Sequence, residues 1–210
     1  MIDDMALVTA WRDGDREAGA QLFDRYYASI ARFFRNKVGP QSADLVQSTF
    51  LQCFEGLGRM HSSNFRSYLF AIACNLLRKH YRGKSRNRVD FGSVSVHDLD
   101  PSPSSVLARD HRQRRLLEAL RRIPIDLQIV LELFYWESMT AAMIAEALEI
   151  PVGTAKTRIR RARQLLHAQM LALEAEGIRA DYTLDDLDAW ARELRDEPSS
   201  PTARSPTDDG

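Results

Sequence analysis

The chain has 210 residues, 44% hydrophobic and 28% charged, a balance that fits a soluble globular protein of one large or two small domains. No stretch approaches the roughly 20 apolar residues of a membrane helix, and the N-terminus MIDDMALVTAW is acidic where a secretory signal is basic. Membrane insertion and export are therefore not expected, and a cytoplasmic location is. The net charge of zero conceals a division: from residue 171 onward eleven acids face four arginines, a net −7, which leaves +7 on residues 1–170. A basic body of this kind implies an anionic partner.

Nearly every periodic segment has the helical repeat, and no alternating strand pattern stands out. In residues 15–36, Leu22, Phe23, Tyr26, Tyr27, Ile30, Phe33 and Phe34 form a wide apolar stripe. Gly39-Pro40 stops that helix and Ser42 is placed to cap the next. In SADLVQSTFLQCFEG (42–56), Val46, Phe50 and Cys53 fall on one side. The other side carries Asp44, Gln47, Ser48, Leu51 and Glu55, with a bare leucine beside a serine and few charges. Such a face asks for a docking partner. Cys53 and Cys74 both lie in apolar stripes and are expected to be buried free thiols.

A polar loop, GRMHSSN (58–64), leads into FRSYLFAIACNLLRKHYR (65–82), where aromatics stand among cations. Two readings remain open for Phe65, Tyr68, Phe70 and Tyr81: stacking platforms for single-stranded nucleic acid, or core fillers. The small polar side chains of Ser62, Ser63 and Asn64 suit the edge of an extruded base. Residues 84–104 lose the periodicity and gather Ser, Gly, Asp and Pro, as a linker does.

Helical pattern resumes near Val106. Pro124 opens a helix through Trp136, Thr140 caps a short one ending near Leu148, and a long one follows Pro151. A short capped helix, a tight turn and a longer basic helix make a helix-turn-helix. At about 100° per residue, Val152, Ala155, Ile159, Ala162 and Leu166 form the core arc. Thr157, Arg160 and Arg161 lie opposite, flanked by Thr154, Lys156 and Arg158, which suits base-edge and phosphate contacts. Five cations within 156–163, with no acid to pair at i+4, repel one another unless an anion binds. Beyond residue 172, TLDDLDAWAREL (183–194) has amphipathic spacing, and the rest is rich in Pro, Ser and Asp. This acidic stretch reads either as an inert tail or as a competitor of DNA for the basic helices.

These segments together, DLVQSTFLQCFEG (44–56), 65–82 and above all LRRIPIDLQIVLELFYWESMTAAMIAEALEIPVGTAKTRIRRAR (120–163), resemble a bacterial RNA polymerase sigma factor of the extracytoplasmic-function type, in the sigma-70 family. The resemblance covers about residues 5–170. It implies an all-α fold of two small helical domains joined by a flexible linker, the second a helix-turn-helix, with an acidic C-terminal extension outside the likeness. The corresponding boundaries are 1–88, a linker at 89–105, 106–172, and the extension at 173–210.

The resemblance also implies partners and roles: core RNA polymerase, through its β′ clamp helices and β flap, promoter DNA, and an anti-sigma factor. The −35 contacts fall on Lys156, Thr157, Arg160 and Arg161. The −10 base falls to the loop at Ser62, Ser63 and Asn64, with Asn75, Arg78, Lys79 and Arg82 following the displaced strand. Polymerase docking falls on the helix bearing Asp44, Gln47, Ser48, Leu51 and Glu55.

The family usually carries acids at the positions of Ala43 and Ser48, and this chain has neither. Either the remaining contacts suffice, or a Ser/Thr kinase adds charge at Ser48 or neighbouring Thr49. The leading alternative is a helix-turn-helix regulator that acts without polymerase; a purely protein-binding adaptor is a further one. An enzyme is the least favoured class: His61, His80, His97, His111 and His167 form no ligand or catalytic spacing, and no cofactor or metal is expected.

Overall fold

The computed structural model describes residues 3–60, 62, 64–84, 89–99 and 111–175, and most of them are helical. Ser63 and the acidic extension from residue 176 lie outside the described residues. Helices α1 (Asp4–Arg12) and α2 (Arg16–Val38) each begin at an aspartate. The Asp3 carboxylate accepts from Met5 N at 3.1 Å, and Asp15 accepts from Glu17 N and Ala18 N at 2.9 and 3.2 Å; both are N-caps that satisfy otherwise orphaned donors. Gly39, at φ +59°, ends α2, and one 3₁₀ turn (Gly39–Gln41) leads straight into α3 (Ser42–Gly56). Ser42 is therefore the first residue of α3 and not its cap, because its backbone is already helical, at φ −60° and ψ −37°. Helix α4 (Phe65–Lys84) starts after Asn64, whose side-chain oxygen accepts from Ser67 N at 3.1 Å.

The C-terminal half comprises a short α5 (Val96–Leu99), α6 (His111–Arg121), α7 (Ile125–Tyr135), α8 (Ala141–Leu148) and α9 (Val152–Ala175). Thr140 caps α8 as expected, its hydroxyl accepting from Met143 N at 3.2 Å. Glu149 then turns into the left-handed region at φ 55° and Ile150 N bonds Ala145 O at 3.0 Å, which closes the helix-turn-helix corner. No strand occurs among the described residues; a lone antiparallel bridge joins Ser95 and Pro124.

Two boundaries differ from expectation. Residues 89–99 fall where a linker was expected, yet they pack as a strap. Phe91 and Val96 are buried, Phe91 O accepts from Asp126 N, and Val94 O from Ile125 N, both at 3.0 Å. Aperiodic apolar residues of this kind announce themselves only through tertiary contact. Helix α9 also runs past residue 172, with Leu173 buried in the C-terminal core.

One apolar core runs through both halves. Leu22, Tyr26, Ile30, Phe34, Phe65, Phe70 and Leu77 of α2 and α4 continue into Ile125, Ile129, Leu133, Ile144 and Leu148 of α7 and α8. A second cluster, with Leu116, Leu120, Leu131, Leu166 and Met170, binds α6, α7 and α9 together. Three of the four aromatics of α4 settle their two readings here: Phe65, Phe70 and Tyr81 are buried as core, while Tyr68 is half-buried and packs against it. Cys53 and Cys74 are buried free thiols, and desolvation pushes both up to about 12.

The junction between halves contains an ion pair at its most buried point. Lys37, 1% exposed, donates to the carboxylate of Glu132, 2% exposed, and to Phe33 O at 2.6 Å, while lying 4.0 Å from the Phe33 ring centre. Gln128 Nε2 donates to the other Glu132 oxygen at 2.8 Å. Desolvation lowers the Lys37 pKa and raises that of Glu132, and each shift is opposed by the partner's charge. Removing one member strands a buried charge, which typically costs about 3–5 kcal/mol, whereas an apolar pair of similar volume is often neutral. Glu132→Leu is therefore expected to lower the urea unfolding free energy by that amount. The double variant Lys37→Met/Glu132→Leu should recover most of the loss, and a double variant as unstable as the single would contradict the assignment.

Candidate functional site

Three surfaces carry the residues singled out by the sequence. The first is the outer face of α3. Val46, Thr49 and Cys53 turn inward, while Asp44, Gln47, Leu51 and Glu55 are exposed and Ser48 is half-buried. Leu51 is 55% exposed and Phe54 60%. Phe23 and Tyr27, at the edge of the wide apolar stripe of α2, join this face: their rings stand 5.3 Å apart, and Phe23 lies 4.6 Å from Phe50. Trp11 stacks on Phe54 at 5.7 Å. Periodicity alone missed Phe54, Phe23 and Tyr27, because a wide stripe does not say which of its edges a neighbouring helix covers. An exposed patch of aromatic residues and leucine marks an interaction surface.

Ser48 and Thr49 part company on this face. The Thr49 side chain is fully buried and its hydroxyl donates to Leu45 O at 2.7 Å. Only Ser48 of the two reaches solvent.

The second surface is the loop before α4 and the helix itself. Ser62 Oγ donates to Asn64 O at 2.7 Å and accepts from Asn64 N at 3.0 Å, so these two residues build their own turn. Asn64 in addition caps α4. Along α4, Asn75, Lys79 and Arg82 are exposed, and Arg82 sits 5.7 Å above the Phe91 ring. Arg78 is engaged: its Nη2 donates to Asp126 Oδ1 of α7 at 3.1 Å.

The third surface is α9. Ala155, Ile159, Ala162 and Leu166 are buried, and Lys156, Thr157, Arg160 and Arg161 face solvent, with Thr154 and Arg158 on the flanks. Val152, counted with the core arc, is exposed because it begins the helix beyond the reach of α7 and α8. Among the described residues the basic arc of α9 has no acid within it.

The halves are joined by polar contacts around the buried pair. Arg32 bonds Glu137 at 2.7 Å, Arg66 Nη1 donates to Glu137 O at 2.5 Å, Ser67 Oγ donates to Met143 O at 3.2 Å, and Arg121 Nη1 donates to Asn36 O at 2.9 Å. Helix α8, the first of the helix-turn-helix, thus lies against α4.

Residues 22–87 match the family model for sigma-70 region 2, and residues 113–166 match sigma-70 region 4. The chain belongs to the sigma-70 family. Among relatives of this sigma factor, the RNA polymerase sigma-H factor of Pseudomonas aeruginosa is 26% identical over 189 residues, covering 82% of this chain and 96% of the relative. The extracytoplasmic-function sigma-E factor of Haemophilus influenzae is 25% identical over 186 residues, covering 82% and 97%. Among solved structures, CnrH in complex with the cytosolic domain of CnrY superposes with a TM-score of 0.60 at 25% identity, over 80% of this chain and 97% of that one. The sigma factor RpoE of Bartonella quintana, solved with the anti-sigma factor NepR, gives 0.57 at 19% identity over 72% and 95%, a likeness of fold. Region 2 of the sigma factor thus spans α2–α4, and region 4 spans α6 to the middle of α9.

The contrast between the two hydroxyls is measurable. Thr49→Asp would bury an unpaired carboxylate and is expected to destabilise the fold by more than about 3 kcal/mol in urea melts. Ser48→Asp, at the rim, should cost about 1 kcal/mol or less. Equal costs would mean that the two positions are not differently buried.

Proposed function

We propose that this sigma factor docks core RNA polymerase through the outer face of α3, captures the −10 element as displaced single strand with the 62–64 loop and α4, and reads the −35 element as duplex with α9. The observation that carries this reading is the arrangement of α9: apolar arc buried, and Lys156, Thr157, Arg160 and Arg161 presented outward on the second helix of a helix-turn-helix. Such a face offers hydroxyl and guanidinium donors to base edges and phosphates. On α4, Asn75, Lys79 and Arg82 form the outward row, joined by Arg78 once it leaves Asp126. The chemistry of RNA synthesis belongs to the polymerase, and the factor acts where the polymerase does, in the cytoplasm. No helix among the described residues is long and apolar enough to cross a membrane.

Dimensions then demand movement. Elements centred near −10 and −35 lie about 25 base pairs apart, roughly 85 Å along the duplex at 3.4 Å per step. A compact chain of 210 residues has a radius of gyration near 17 Å. Regions 2 and 4 must separate to reach both elements, which opens the junction around Lys37 and Glu132. The β flap is the polymerase surface proposed to hold region 4 in that extended state. An anti-sigma factor is proposed as the partner that opposes it, as CnrH was solved with a protein partner, the cytosolic domain of CnrY.

The α3 face gives the docking proposal a particular character. With Ala43 and Ser48 where the family usually has acids, the patch of Leu51, Phe54 and Phe23 supplies apolar area to the β′ clamp helices, while Asp44 and Glu55 supply charge. A kinase acting at Ser48 would add a dianion suited to arginine. In run-off transcription with core polymerase, Leu51→Asp is expected to abolish factor-dependent transcripts without unfolding the chain. Ser48→Asp is expected to bind core polymerase more tightly than Ser48→Ala; equal binding would remove the case for phosphorylation there. For the duplex, Arg160→Ala or Arg161→Ala should cost about 1–3 kcal/mol and relax specificity, while removal of a phosphate contact such as Lys156 should reduce the salt slope by about 1. Failure of the chain to co-purify with core polymerase would overturn the whole reading.

A further inference from the structure

The carboxylate of Asp126 stands between two arginines from different DNA-facing elements. Its Oδ1 accepts from Arg78 Nη2 of α4 at 3.1 Å, and its Oδ2 lies 3.6 Å from Arg158 Nη1 of α9. The three side chains are 16%, 19% and 30% exposed, so water screens them only in part. They line an open cleft of about 710 Å³, shared with Asn75, Arg82 and Phe91. An aspartate in the first turn of a helix complements the helix dipole wherever it points. That explains an acid at the start of α7 but not its placement across two guanidinium groups. The other acid of the cleft, Asp90, is occupied by its own turn, accepting from Gly92 N and Ser93 Oγ at 3.0 Å each.

We propose that Asp126 is an internal stand-in for a nucleic-acid phosphate, holding Arg78 away from DNA while regions 2 and 4 are together, with Arg158 of its own region as its second partner. The proposal rests on the reading that Arg78 follows the displaced −10 strand. A carboxylate and a phosphodiester compete for the same guanidinium donors with the same charge-assisted geometry. The Asp126–Arg158 pair lies within region 4, but Asp126–Arg78 joins α7 to α4, so a phosphate that takes Arg78 removes one of the ties between the regions. Capture of the −10 strand and release of region 4 are thereby coupled, and the coupling is reciprocal. Asp126 sets how much affinity for DNA the free factor withholds until the polymerase separates its regions.

The test measures binding of a mixed-sequence single-stranded oligonucleotide to the full chain by fluorescence anisotropy, over a salt titration. Asp126→Asn keeps the size of the side chain and is expected to tighten binding about three- to tenfold at 0.1 M salt, the worth of one or two partly screened ion pairs. It should also steepen the dependence of log K on log salt by about 0.7 for each added phosphate contact. Asp126→Ser, which retains a good residue for a helix start, should do the same and separates the effect from any damage to α7. Arg78→Ala should weaken binding and erase most of the gain from Asp126→Asn. Asp90→Asn removes the same charge from the same cleft and should change affinity less than twofold. An equal gain from Asp90→Asn would make the effect one of bulk charge and overturn the proposal. Unchanged binding by both Asp126 variants, with Arg78→Ala still weakened, would overturn it and leave the −10 reading standing. Arg78→Ala that left the affinity of Asp126→Asn undiminished would overturn both.

Discussion

The arrangement of this sigma factor depends on a lysine and a glutamate that meet where water is excluded. Lys37 lies in the last turn of α2 in region 2, and Glu132 in the second half of α7 in region 4. A pair so deep adds little net stability against an apolar alternative, since desolvation consumes most of the Coulombic gain. Its stronger effect is on register. Lys37 is satisfied only with Glu132 and Phe33 O in reach, and Glu132 only with Lys37 and Gln128, so the halves dock in one orientation. The flanking bonds of Arg32, Arg66, Ser67 and Arg121 then fall into place around them.

That docking decides which surfaces are available. It leaves the α3 patch and the basic arc of α9 open to solvent, covers part of α4 with α8, and occupies Arg78 with Asp126. The free chain therefore presents the surface proposed for the polymerase in full and the one proposed for single-stranded DNA only in part. This order suits a factor meant to find the polymerase before it commits to melted DNA. Opening the junction would expose apolar residues of α4, α7 and α8 along with two buried charges. The free energy for it must come from polymerase contacts worth more in the separated state.

Much of this was legible in the residues, and the gaps have definite causes. The arc Ala155, Ile159, Ala162, Leu166 was readable because a long helix repeats its phase several times. Thr140 as a cap was readable because capping is local chemistry. Lys37 was not, since RNKV at a helix end looks solvated and its partner lies 95 positions away. Phe23 and Tyr27 belong to the apolar stripe of α2 and yet are exposed, because that stripe is wider than the surface α3 and α4 cover. The strap at 89–99 reads as linker in sequence because Phe91 and Val96 repeat with no period. In each case the missing information is long-range pairing, which no window of sequence contains.

The most direct test of this account is the distance between region 2 and region 4 before and after polymerase binding. Spin labels at two exposed positions, introduced as Glu17→Cys on α2 and Gln164→Cys on α9, report it by double electron–electron resonance, since Cys53 and Cys74 are buried. A single narrow distance is expected in the free factor and a much longer one on core polymerase with promoter DNA. Glu132→Leu should also broaden the free-state distribution. A transcriptionally active complex that kept the free-state distance would contradict this separation of the regions.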